Sequence, residues 1–196
     1  MFILIFIVGM IGNILYTYMI QKDYVLQGIF LNAVAEQEDK IELEQNFIEH
    51  ATIDSDKETV FFDTNYYFST DTKSSFVANS YETLQIMHAK IATGEIDFIV
   101  GDLDSMNNIA YREYFYELPE VISDEILKKY EKCFLYYDRA FIEKLNNMDE
   151  IIDTSKTIIY PDPRKPELME DPVPIFIDVS KSQKLQGFYP YADNVC

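Results

Sequence analysis

Carboxylates are the one potentially reactive group that this sequence holds in abundance. It has 34 Asp and Glu against 16 Lys and Arg, a formal charge of −18. Two carboxylates can act as acid and base in glycoside hydrolysis, but that chemistry depends on a separation in space that chain order does not give. The two histidines, His50 and His88, lack H-E-x-x-H spacing, and a zinc site would have to gather them with the distant Cys133 and Cys196. His88 falls on the apolar face of a predicted helix and reads as a satisfied core histidine. Cys133, beside an apolar run, reads as a buried free thiol. Asp54, Asp56 and Glu58 imitate the start of a calcium loop, yet Thr59 and Asn65 stand where its glycine and closing acid belong. Six glycines build neither G-x-G-x-x-G nor a phosphate loop, and G-x-S-x-G is missing. No catalytic residue, metal or cofactor is expected from these residues.

The remaining polar candidates follow predicted strands. Asp63, Asn65 and Tyr66 come after an apolar stretch at Thr59–Phe62, and Asp102 and Asp104 after one at Glu95–Gly101. Ligands of open α/β sheets bind at the carboxyl ends of strands. Tyr66, and Tyr111 in the helix that follows, would offer rings to stack on a sugar, and the carboxylates would accept hydroxyl protons. The competing reading is capping and packing. Asp102, Asp104 and Ser105 are ordinary helix-start residues, and the chain has 15 tyrosines.

The elements that must position these residues alternate. Strands are expected at Val25–Ala33, Thr59–Phe62, Glu95–Gly101, Phe134–Tyr137 and Ile175–Val179, with turn residues at Asp63–Asn65 closing the second. Helices are expected at Glu36–His50, Ser75–Thr93, Asp104–Tyr114, Ser123–Lys132 and Arg139–Asn146. The helix from Ser75 carries Leu84, Met87, His88 and Ile91 on one face and stops at Gly94. Ser123 would cap its helix, with Ile126 as the apolar contact. Acidic Glu36–Glu49 reads as a solvated helix face, and proline-rich Pro161–Pro174 as a connector. Strand alternating with helix predicts an α/β fold, a mostly parallel sheet with flanking helices.

Met1–Ile20 contains no charged side chain, and about 1.5 Å per residue makes it roughly 30 Å long as a helix, the thickness of a hydrocarbon core. A cleavable signal peptide would need a basic start, a shorter apolar centre and small residues at a cleavage site. A buried helix that is apolar all round would be unusual in so small a domain. The expected layout is a transmembrane anchor over residues 1–21 and one domain over 22–196. Lys22, just after the apolar segment, favours the opposite orientation from an exported domain by the positive-inside rule, and a start without a basic residue suggests that Met1 is not the natural start. The acidic balance repels phosphate backbones, so no nucleic-acid partner is expected.

His88–Val121 reads HAKIATGEIDFIVGDLDSMNNIAYREYFYELPEV. An amphipathic helix ends in Thr-Gly-Glu, an apolar strand containing Asp97 follows, then a turn, a helix with Tyr111 and Phe115, and Leu-Pro. Over these 34 residues the chain resembles the extracellular solute-binding proteins of ABC importers, most of all membrane-anchored acidic members from Gram-positive bacteria. The resemblance implies a bilobed type II periplasmic-binding architecture and non-covalent capture of a small polar solute, a carbohydrate among the options. It also implies an ABC permease as partner, and a single-pass protein of the cell membrane with its domain outside. Members of the family are longer, so the chain is expected to be truncated at its C-terminus, with an incomplete second lobe. A cell-surface interaction or sensor module that has lost its ligand is the alternative.

Overall fold

The computed structural model describes residues 22–69, 77–112, 114–147, 158–185 and 188. The apolar segment 1–21 and the C-terminal residues 189–196, Cys196 among them, lie outside the described residues. Among the described residues, no helix is long and apolar enough to cross a membrane.

The chain runs β1 (Asp23–Leu31), α1 (Gln37–Ala51), β2 (Glu58–Tyr66), α2 (Val77–Ala92), β3 (Phe98–Val100), α3 (Leu103–Ala110), α4 (Leu118–Val121), α5 (Asp124–Tyr130), β4 (Phe134–Asp138), α6 (Arg139–Asn147) and β5 (Pro172–Ile177). β1 pairs in parallel with both β2 and β3, in the order β2-β1-β3. The mixed α/β class and the helix-covered parallel sheet follow the expected grammar.

As the central strand, β1 buries both faces. Ile29 and Leu31 point into one cluster with Tyr66, Phe68, Met87, Met106 and Ile109. Phe30 points the other way, against Val60, Phe62 and Phe188, with Leu43 and Ile48 of α1 closing that side. The period-two alternation of a strand divides the residues between the two faces. No residue of α1 is fully buried, which agrees with its reading as a solvated acidic face. Glu44 of that helix accepts a hydrogen bond from the Phe62 amide at 2.9 Å, so it also covers β2. Gly94, at φ 71°, ends the turn after α2 as expected.

Several local expectations are corrected. β2 continues through Asp63–Asn65 to Tyr66, because the β1–β2 register shifts between Ile29 and Leu31 and Leu31 then pairs with Tyr66. β3 is only three residues long and half-buried. β4 and β5 do not extend the parallel sheet. They form a separate antiparallel pair whose register shifts where Pro174 comes opposite Tyr136. The Tyr136 amide donates instead to the Pro163 carbonyl at 2.9 Å. Proline has no N–H to give to a ladder, so such a strand stays at an edge. Ser123 takes the N-cap position of α5 without a side-chain cap bond, and Ile126 is exposed. Cys133 is exposed rather than buried, since the turn at Glu131–Cys133 carries it past the apolar run. His88 is exposed too, one position beyond the buried Met87, with its ring 5.5 Å from that of Tyr114.

Candidate functional site

The carboxyl end of the parallel sheet is organised by Asn32. It follows β1 in left-handed backbone, φ 59°, a region that asparagine tolerates better than most residues. Its Nδ2 donates to the Phe68 carbonyl (2.7 Å), to Asp102 Oδ2 (2.7 Å) and to Ser105 Oγ (3.0 Å), while its Oδ1 accepts from the Phe68 amide (2.7 Å). Asp102 Oδ1 accepts from the Ser105 amide at 2.9 Å and caps α3. A Cβ on Gly101 would sit 2.9 Å from Met106 Sδ, so a side chain there requires Met106 to shift. One side chain thus ties the ends of β1, β2 and β3 to the first turn of α3.

Beside this knot lies a cleft of about 1530 Å³. One wall is the end of α2 with β3 and its turn, including Ile91, Phe98, Gly101 and Asp102. The other is β5 and the loop after it, including Phe176, Asp178 and Lys181, with Tyr114–Tyr116 between the two walls. Phe115 packs edge-on against Phe176, ring centroids 5.0 Å apart, and joins the two sheets.

Of the residues expected at the site, only Asp102 lines this cleft, and both its oxygens accept bonds from within the fold. Asp63 accepts from the amide and side chain of Asn65 at 3.2 and 2.8 Å and lies 3.9 Å from Lys90 Nζ. Asn65 is exposed, and Tyr66 is buried in the core under α2. Asp104 is exposed on the first turn of α3. Tyr111 belongs to the second core, stacked on Tyr160 at 4.9 Å, with its hydroxyl accepting from the Asp138 amide at 3.1 Å. Burial pushes its phenol up, against the opposing effect of that amide bond. Asp63, Asn65 and Tyr66 therefore sit together at the end of β2, apart from Tyr111.

Sequence reasoning missed the apolar walls. Their signal was there in the aromatic run Tyr114–Tyr116 and in Phe176 of the last strand, but only the fold joins segments about 60 residues apart. A smaller niche of about 410 Å³ lies at Glu117, Tyr137 and Arg139. Arg139 Nη2 donates to both Glu117 oxygens at 2.7 Å, and the Tyr137 hydroxyl donates to Glu117 Oε1 at 2.8 Å. The Arg139 bond holds the Glu117 carboxyl below its usual range. Burial, and then the bond to Glu117, push the Tyr137 phenol up to about 12. Glu117, Tyr137 and Arg139 thus satisfy one another, and Glu120 and Glu143 line the same niche. Among the described residues no group of three or more His, Cys, Asp or Glu could hold a metal ion. No family model matches the chain, no curated protein matches its sequence, and no solved structure matches its fold.

Proposed function

We propose that this chain is a binding domain that captures a small organic solute, without covalent chemistry, in the cleft between the parallel sheet and the β4–β5 pair. The observation that carries the reading is position. The cleft runs along the edge strand β3 and takes in the carboxyl ends of β1 and β3, where the strand order turns back and where open α/β sheets take ligands. The likeness of His88–Val121 to solute-binding proteins of ABC importers supports the same reading. It adds an anchor at residues 1–21, an outward-facing domain in the cell membrane, and a permease that receives the solute. A second reading, an interaction module, is favoured by one feature: Tyr116, Val121, Ile126 and Tyr130 are exposed large apolar side chains within 15 residues.

The test is thermal unfolding of the full chain in lipid nanodiscs, with and without sugars, oligosaccharides, amino acids and organic ions. A ligand bound only to the native state stabilises it by about 2.7 kcal/mol at a hundredfold excess over Kd. A rise in Tm with one solute class is the expected result. A cooperative melt that no solute moves would turn the assignment to the interaction module.

A further inference from the structure

The cleft described above is more particular than a general solute site, and the ligand class it selects rests on the solute-capture reading. Its polar lining at the sheet end is already spent. Asn32 and Asp102 satisfy each other and Ser105, which leaves little to receive a ring of sugar hydroxyls. The walls are aliphatic and aromatic, with Tyr116 74% exposed at the mouth. The volume exceeds the roughly 300–1,000 Å³ of a drug-sized site.

The ionisable groups lining it are His88, Asp97, Asp102, Arg164, Asp178 and Lys181. Arg164 is held by Asp162 at 3.2 Å, so its charge is answered within its own loop. Asp97 and Asp178 are exposed, and each accepts a backbone amide, from Gln27 at 2.7 Å and from Ser180 at 2.9 Å. Neither is in an ion pair among the described residues. Among the described residues lining the cleft, Lys181 is the cation without an ion-pair partner, in a chain that carries −18. Two exposed carboxylates outside any ion pair, the exposed Tyr116 ring and apolar walls lining one cleft make a surface complementary to a positive head on an apolar body.

We infer that the cleft binds an organic cation with an extended apolar body, such as an alkyl-ammonium compound, with its head near Asp97, Asp178 and Tyr116 and its tail against Ile99, Phe115 and Phe176.

The chain has no tryptophan, so one introduced tryptophan reports without background. The full-length Tyr116→Trp variant, in nanodiscs of uncharged lipid, is titrated with decyltrimethylammonium, decanoate, tetramethylammonium and maltose. Tyr81→Trp, exposed on α2 and not lining the cleft, controls for partition of the probe into the disc. The expected result is a saturable emission change with decyltrimethylammonium in the Tyr116→Trp variant alone, with decanoate and tetramethylammonium at least tenfold weaker. Asp97→Asn with Asp178→Asn keeps both acceptors and is expected to weaken the binding about tenfold. The wild-type Tm is expected to rise with decyltrimethylammonium, which checks the result without any substitution. Equal response to decanoate, or affinity untouched by the two Asn substitutions, would overturn the inference. A response to maltose alone would overturn it and leave solute capture standing. A cooperative melt with no response to any probe would remove both.

Discussion

Asn32 holds a φ of 59° and at the same time serves Phe68, Asp102 and Ser105 with one amide. Replacing it with alanine leaves the Phe68 amide and carbonyl and an Asp102 oxygen short of partners. It also keeps a Cβ in left-handed backbone. A loss of about 3 kcal/mol follows. Asn32→Gly loses the same bonds but relieves the backbone, so it costs about 1 kcal/mol less. Urea unfolding at constant m measures both, and equal losses would show that the backbone conformation contributes nothing. Asp104→Ala, at an exposed position two residues past the cap, changes stability by no more than about 0.5 kcal/mol.

Asp162 is the residue for pH. Burial raises its carboxyl, but the Arg164 amide and guanidinium and the Lys165 ammonium outweigh that and hold it down at about 2. The unfolded carboxyl titrates at about 3.9, so between these values the unfolded state binds more protons and stability falls with falling pH. The contribution is complete above about pH 4 and lost on acidification through about pH 2; it amounts to about 2 kcal/mol. Asp162→Asn should flatten that part of the stability profile, and a profile equally steep in the variant would rule the residue out as its source.

Among the elements, β1 and β3 meet at a point with no slack. A Cβ on Gly28 would lie 2.2 Å from Phe98 Cζ, because the Phe98 ring crosses the sheet over the glycine. Gly28→Ala must move that ring, which costs roughly 1–3 kcal/mol in a packed core. In the double variant with Phe98→Leu, a smaller and more pliable side chain, the two losses should add to less than their sum; strict additivity would mean that the ring is not the obstacle. The helices over 37–51 and 77–92 were legible in sequence from their amphipathic spacing, and the central strand from its apolar run Ile29–Leu31, buried on both faces. The end of β2 was not. Asp63, Thr64 and Asn65 have turn chemistry, and pairing across a shifted register overrides it. The antiparallel direction of β4 and β5 was not legible either, since apolar runs such as Phe134–Tyr137 and Ile175–Ile177 look the same in either direction and their partner is fixed by the whole fold. Asp102 was legible as a cap. The walls of the cleft were not, being assembled from segments that only tertiary packing brings together.

For the whole molecule the dominant electrostatic fact is the charge of −18. Among the described residues some ion pairs are local, as in Asp162 with Arg164 and Lys165 and in Lys57 with Asp54, and others join distant segments, as in Arg139 with Glu117 and Lys144 with Glu170; most keep at least one partner exposed. Exposed pairs of this kind contribute about 0–1 kcal/mol each. Repulsion among surplus carboxylates spread over the surface opposes them and destabilises the compact state. Salt screens both, with a Debye length of about 30 Å at 0.01 M and about 3 Å at 1 M, so the sign of the salt effect shows which is larger. With so large a net charge, repulsion should win: Tm should rise by several degrees between about 20 and about 500 mM NaCl. A fall in Tm would mean that local pairs outweigh the net charge. The same screening should act in the opposite sense on a cation held at Asp97 and Asp178, whose affinity would drop over that range while the protein itself becomes more stable. A generally better-folded protein would bind more tightly in salt. Opposite slopes in the two titrations therefore separate attraction at the cleft from any gain in folding.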